Sequence, residues 1–215
     1  WEWFPTAAEV VAVSVFYKNF DKPIERVVQP RVNGLASDAN ARGATNVGAE
    51  FEVRKSLEFM SKAMDGFSLG ANFSYIYSRV RLNDRCDVDL DPTCEPMLDV
   101  STSRERPLQG QSPFVVNAYL DYTNDDSGTS GRLMYNSFGR RIDQVSGFGF
   151  GDIYEEPIHQ FDFVIGQEIF DDFVMSFAVE NLLNWPERFT QGENREITRL
   201  AWPGATIKLG ASYKF

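Results

Sequence analysis

Histidine is almost missing from this sequence and cysteine nearly so, with one His and two Cys in 215 residues. That scarcity argues against a His-based catalytic centre or a Cys/His zinc site. Basic charge is short as well: Lys and Arg number 21 against 31 Asp and Glu, a formal net charge of −10. Nucleic-acid phosphates demand a basic face, so no nucleic-acid partner is expected, and docking on anionic lipid through a polybasic patch is equally disfavoured. Long apolar runs are lacking too. Val10-Val11-Ala12-Val13 falls far below the roughly 20 residues that a spanning helix needs. The opening Trp1-Glu2-Trp3-Phe4-Pro5 has no initiator Met, basic n-region or leader core, and the expectation is a C-terminal piece of a longer protein. Aromatics, in contrast, are plentiful. With 18 Phe, 8 Tyr and 4 Trp, disorder is excluded for most of the chain.

The organising signal is strict alternation. Phe67, Leu69, Ala71, Phe73, Tyr75 and Tyr77 share one parity; Ser68, Gly70, Asn72, Ser74 and Ser78 share the other. Ala205, Ile207, Leu209, Ala211, Tyr213 and Phe215 likewise oppose Thr206, Lys208, Gly210, Ser212 and Lys214. Period two over a dozen residues is a strand with one apolar and one polar face, since a helix would scatter both sets around its axis. Eight such strands are expected, near 9–24, 43–58, 67–82, 108–123, 129–142, 156–169, 173–184 and 204–215.

The connections alternate as well. Pro5 to Ala8, Ser61 to Gly66, Asn124 to Gly128 and Asp171-Asp172 are short and turn-rich, whereas 25–42, 83–107, 143–155 and 185–203 are long. Two unlike ends are the pattern of an antiparallel transmembrane β-barrel, with short periplasmic turns and long extracellular loops. A soluble sandwich also alternates, but its strands run to about five or six residues. Here they reach a dozen, and the apolar face turns aromatic towards its ends at Tyr75, Tyr77, Phe161, Phe163, Tyr213 and Phe215, as interfacial girdles do. A mean hydropathy of −0.31 does not discriminate, because only alternate strand residues need be apolar. The opposite parity would face a watery lumen. It includes Glu50, Glu52, Arg54, Asn72, Asp121, Arg132, Asp162, Glu180 and Lys208.

Three stretches carry a family resemblance. The ending Leu209-Gly210-Ala211-Ser212-Tyr213-Lys214-Phe215 resembles the C-terminal recognition strand read by the barrel-assembly machinery, with Tyr213 and Phe215 as its signal. Ala178-Val179-Glu180-Asn181-Leu182-Leu183-Asn184, followed by Thr190-Gln191-Gly192, resembles the last hairpin of TonB-dependent outer-membrane receptors. Val13 to Phe20 with Pro23-Ile24-Glu25, answered by Asn46 to Glu52, is similar to another strand pair of that family. The resemblance implies that residues 1–215 form roughly the last eight strands of a 22-stranded barrel. The plug domain, the earlier strands and the TonB box would lie outside this chain. It further implies a bacterial outer-membrane location and energised uptake of a scarce solute through the TonB-ExbB-ExbD complex. Implied contacts are outer-membrane lipid and lipopolysaccharide, and in part of the family a capping surface lipoprotein; no cofactor is implied. The competing reading is a self-contained eight-stranded barrel serving as anchor, adhesin or scaffold. Its lumen would need Glu50, Glu52 and Glu180 matched by residues such as Arg54, Arg132 or Lys208.

The remaining candidates are local. Cys86 and Cys94 would close a disulfide across a loop facing an oxidising exterior, against the alternative of two separate thiols. Between them, Asp87, Asp89 and Asp91 place carboxylates at alternate positions as a calcium loop begins. Pro92 stands where the glycine of an EF-hand would be needed, so an acidic solvated loop is the stronger reading. Glu155, Glu156, His159 and Asp162 mimic a metal cluster, yet strand parity sends Asp162 away from His159, and His159 is expected at the outer rim. Arg140-Arg141 and Arg104-Glu105-Arg106 would either clamp anionic phosphates or pair with rim carboxylates; the second is favoured. No nucleophilic triad or phosphate loop is evident, and no enzyme activity is expected.

Overall fold

The computed structural model describes residues 1–29, 35–82, 101–170 and 172–213. Among these residues fifteen strands are found: β1 (Glu2–Trp3), β2 (Val10–Asp21), β3 (Ile24–Gln29), β4 (Leu35–Asn40), β5 (Gly43–Ser56), β6 (Phe67–Arg81), β7 (Phe114–Asn124) and β8 (Thr129–Phe138), then β9 (Arg141–Ser146), β10 (Ile153–Glu155), β11 (His159–Phe170), β12 (Phe173–Glu180), β13 (Glu187–Gln191), β14 (Glu196–Ala201) and β15 (Thr206–Tyr213). The fold is all-β. Its one helical element among the described residues is a 3₁₀ turn at Lys62–Met64.

The eight expected strands are β2, β5, β6, β7, β8, β11, β12 and β15. Together with the two-residue β1 they make one antiparallel sheet, ordered β1-β2-β5-β6-β7-β8-β11-β12-β15. The register confirms the parity reading. Ala12, Glu52, Asn72, Asn117, Asn136 and Gln160 sit opposite one another across six strands. Val13, Phe51, Phe73, Val116 and Ser137 form a neighbouring row on the other face. That other face is apolar and uncovered: even on β6, well inside the sheet, Phe73 is 42% and Tyr77 61% exposed.

At one end the strands are joined by tight turns whose geometry the sequence dictates. Asn124 Oδ1 accepts from the Ser127 N–H at 3.0 Å, an Asx-type closure that Gly128 completes with φ +62°. Gly66, at φ +79°, ends the turn before β6, and a Cβ there would lie 2.3 Å from the Thr123 carbonyl oxygen. Only glycine meets both demands.

The other end differs from the sequence expectation. Three of the four long links carry most of a second, six-stranded sheet, ordered β14-β13-β10-β9-β3-β4. The strand expected over 129–142 ends at Phe138, and the Gly139 N–H donates to the Phe114 carbonyl at 2.9 Å as the last rung of the β7–β8 ladder. β9 then leaves the wall and pairs in parallel with β3 through Val27↔Val145 and Val28↔Ser146. The buried core lies here: Val27, Ala39, Ala41, Ala44, Val80, Ile142 and Val145, flanked by Phe20, Leu82, Leu108 and Tyr154. Phe20, Ala44 and Val80 belong to the polar-face parity. The loop sheet is therefore folded over the polar side of the wall and caps its loop end.

Candidate binding face and loop cap

All nine residues expected on the lumen parity fall on one face of the wall. Its order follows from direct cross-strand pairing: Glu50 opposes Ser14 and Ser74, Glu52 opposes Asn72, Asp121 opposes Arg132, and Lys208 opposes Ala178. Most of the charges are matched locally. Arg132 grips both Asp121 oxygens, at 2.5 and 2.7 Å, with its guanidinium 5.0 Å above the Tyr119 ring. Arg54 lies 3.5 Å from Glu52 and Lys208 pairs with Glu180. Glu50 accepts from the Ser14 hydroxyl at 3.3 Å. Asp162 accepts from Gln160 Nε2 and from the Asn181 N–H, at 3.0 and 2.8 Å.

Register adds an alignment that parity alone does not give. Asn117, Asn136 and Gln160 continue the row begun by Glu52 and Asn72, so four amides and a carboxylate cross five strands in one line. Each amide offers both donors and an acceptor. The face is also less uniformly small than its composition implies, because Phe16 and Tyr119 lie on it. Both are directly opposite a glycine, Gly48 and Gly70. A Cβ on Gly70 would stand 2.1 Å from the Tyr119 ring, and one on Gly48 2.5 Å from Phe16. The rings lie flat in space that a side chain would fill.

Above this face the cap is braced by buried polar pairs. Arg106 donates from both terminal nitrogens to Glu25, at 2.7 and 2.8 Å, and the Gln109 N–H adds a third bond to Glu25 at 3.1 Å. Glu156, 2% exposed, accepts from the Thr190 hydroxyl at 2.6 Å and lies 3.0 Å from Arg140. Arg141 pairs with Glu155 at 2.7 Å. Asp152 is 1% exposed, and its Oδ1 accepts from the Ser146 N–H at 2.8 Å. Burial pushes its carboxyl above the usual range, offset only in part by that N–H, by Ser103 and by nearby Arg106. Leu108 and Gln111 fasten the cap to the wall: the Leu108 N–H donates to Ser78 Oγ at 3.0 Å, and Asn46 Nδ2 to Gln111 Oε1 at 2.6 Å.

The local candidates resolve differently. Arg140 and Arg141 are rim charges paired with carboxylates, as favoured, whereas Arg106 is paired with Glu25 in the buried interior of the cap. Glu155, Glu156, His159 and Asp162 do not converge, since each has its own partner. His159 sits at the loop end of β11, Nδ1 2.7 Å from the Tyr135 hydroxyl, with Trp185 edge-on at 4.7 Å. Among the described residues no three His, Cys, Asp or Glu side chains gather at metal-binding distance. Cys86, Cys94, Asp87, Asp89, Asp91 and Phe215 lie outside the described residues. Tyr213 ends β15, opposite Phe173.

No protein-family model and no curated protein matches the sequence. Solved structures do match the fold. The ferric enterobactin receptor PfeA of Pseudomonas aeruginosa, as its G324V mutant, superposes with a TM-score of 0.60 at 14% identity over 100% of this chain. The siderophore receptor PirA of Acinetobacter baumannii gives 0.63 at 13% identity over 99%. The chain spans 30% of the length of each. The likeness at these identities is one of fold: the chain folds as a section of the β-barrel wall of those two receptors does. Its sheet is open, with β1 and β15 as the two edge strands among the described residues.

Proposed function

We propose that the chain is the C-terminal barrel wall and loop region of a TonB-dependent outer-membrane receptor, which takes up a scarce solute with energy relayed from the inner membrane. The observation that carries this reading is the segregation of the two faces. One is apolar and uncovered, the other is lined with amides and paired charges and roofed by a braced loop sheet. A watery bore with an external cap would use the second, and lipid would cover the first. The open edges support a larger barrel, because unpaired strand edges are not tolerated in hydrocarbon. The closed eight-stranded alternative gains support from the matched pairs Glu52–Arg54 and Glu180–Lys208. It would, however, require β15 to pair with β1 and the rest of the β2 edge.

The proteins sharing the fold are named for ferric enterobactin and siderophores, so a ferric chelate is the first solute to try. Cells producing the intact receptor are offered radiolabelled ferric enterobactin, with and without TonB. Accumulation that needs both receptor and TonB is expected; equal flux without TonB contradicts energised transport.

A further inference from the structure

A cleft of about 650 Å³ opens beside the loop ends of β5 and β6, lined by Arg42, Thr45, Arg79, Arg81, Arg104 and Glu105. Four guanidinium groups beside one carboxylate are unusual in a chain of net charge −10, and two of them, Arg79 and Arg81, stand on a definite side of the wall. Thr45 pairs with Arg79 and Gly43 with Arg81. Their parity runs down β5 and β6 into Val47, Tyr77 and Tyr75, the apolar face. The loop cap attaches on the opposite parity, through Ala44 and Val80. At about 3.3 Å per residue, Arg79 lies about 7 Å and Arg81 about 13 Å beyond Tyr77 along the strand. Basic side chains just beyond an interfacial aromatic belt stand where lipid headgroups begin.

The local chemistry suits a bound anion. Arg79 Nη2 lies 3.1 Å from Glu105, and both side chains are exposed, at 56% and 83%. Arg81 Nη2 donates to Asn19 Oδ1 at 2.8 Å, which uses one of the five guanidinium donors. A Cβ on Gly43 would come 2.9 Å from Arg81 Nη2, so glycine leaves the guanidinium room to lie against the strand. Planar guanidinium forks match phosphate oxygens two at a time.

We propose that this cleft binds the phosphate groups of outer-leaflet lipid, with Arg79 and Arg81 as the principal contacts and Arg42 and Arg104 beside them. It is a lipid site on the outside of the wall, separate from any path for solute along the polar face. The assignment rests on the membrane reading given above.

The test uses the intact protein carrying this chain, reconstituted in phosphatidylcholine nanodiscs doped with diphosphoryl lipid A or with the same lipid stripped of phosphate. Retained lipid is counted by mass spectrometry, and heat-modifiable gel migration reports folding. Wild type and a Lys62→Gln control, at the turn end, should both prefer the phosphorylated lipid. Arg79→Gln/Arg81→Gln should weaken its retention roughly 30-fold, from about fivefold per basic residue near the surface. If that pair fails to fold, Gly43→Ala crowds Arg81 while keeping both charges and should also lower retention. Equal retention of the two lipids, or no change in either variant, overturns the proposal. Displacement by millimolar inorganic phosphate would mark a free-anion site and overturn the lipid assignment. Failure to enter the nanodisc at all contradicts the membrane reading itself, whereas insertion without phosphate preference contradicts this inference alone.

Discussion

Glu25 and Arg106 have side-chain exposures of 0% and 2%, so each has exchanged its water for the other. Removing one leaves a buried charge without a counter-ion, which costs about 3–5 kcal/mol, whereas replacing both with apolar groups is often neutral. Glu25→Ala should therefore destabilise the cap by that amount, read as lost hydrogen-exchange protection at Gly110 and Ile142. The Glu25→Leu/Arg106→Met pair should recover most of it. Asp152 sets a pH dependence. Its pKa in the folded protein is raised above the ordinary 3.8, so the folded state holds the proton more tightly than the unfolded one. Cap stability is then fully present below the ordinary aspartate value and falls as pH rises through the raised one. Asp152→Asn keeps an oxygen for the Ser146 N–H and removes the charge. It should raise cap stability at neutral pH, with the difference vanishing in acid, measured by proteolysis across a pH series. On the wall, Gly70→Ala should cost about 1–3 kcal/mol by overpacking against Tyr119, and Tyr119→Ala in the same chain should remove that cost.

At the scale of single strands, β7 offers the sharpest contrast, because Asn117 and Ala118 are adjacent yet face opposite ways. Arginine at the lipid-facing midplane of a barrel costs about 2–4 kcal/mol, and on the lumen side far less. Ala118→Arg should therefore lower stability by that amount in urea titrations of the protein folded into vesicles, while Asn117→Arg should leave it nearly unchanged. Long strands such as β6, at 15 residues, were legible in the sequence because a dozen alternating positions cannot be mimicked by a helix. The loop sheet was not. β3, β4, β9 and β14 have six residues each, and β13 five, and although β3–β4, β9–β10 and β13–β14 are local hairpins, the pairings that join them into one sheet, β3–β9 and β10–β13, are non-local, so no single window holds the pattern. Ile142 and Val145 reveal their burial only once Val27 and Ala39 are brought against them. The bracing pairs were hidden for the same reason: Glu25 and Arg106 stand 81 residues apart. The polar face was half legible, since parity selected Asn72 but only register aligned it with Asn117, Asn136 and Gln160.

Across the whole molecule the dimensions agree with a membrane wall. Phe67 packs tilted against Tyr122 with centroids 4.6 Å apart at the turn end. Tyr135 meets Phe161 at 4.8 Å towards the loop end, where Tyr75 and Tyr77 also stand. Phe67 and Tyr77 lie ten residues apart on β6, about 33 Å of strand. A tilt of about 40° reduces that to about 25 Å, the height of a barrel's apolar band. Exposed Phe, Val and Leu rows over such a height would be an aggregation hazard in water and are the expected surface in lipid. The most direct measurement is spin-label accessibility in the bilayer-reconstituted intact protein, with labels placed singly at Val15, Phe73 and Leu209 on one face and at Ser74, Asn117 and Ser176 on the other. The account predicts that the first three relax with oxygen dissolved in the acyl chains and are shielded from an aqueous nickel chelate, with the order reversed for the second three. Labels at Val15, Phe73 and Leu209 that are shielded from both reagents would place those rows in a sealed protein interior and contradict it.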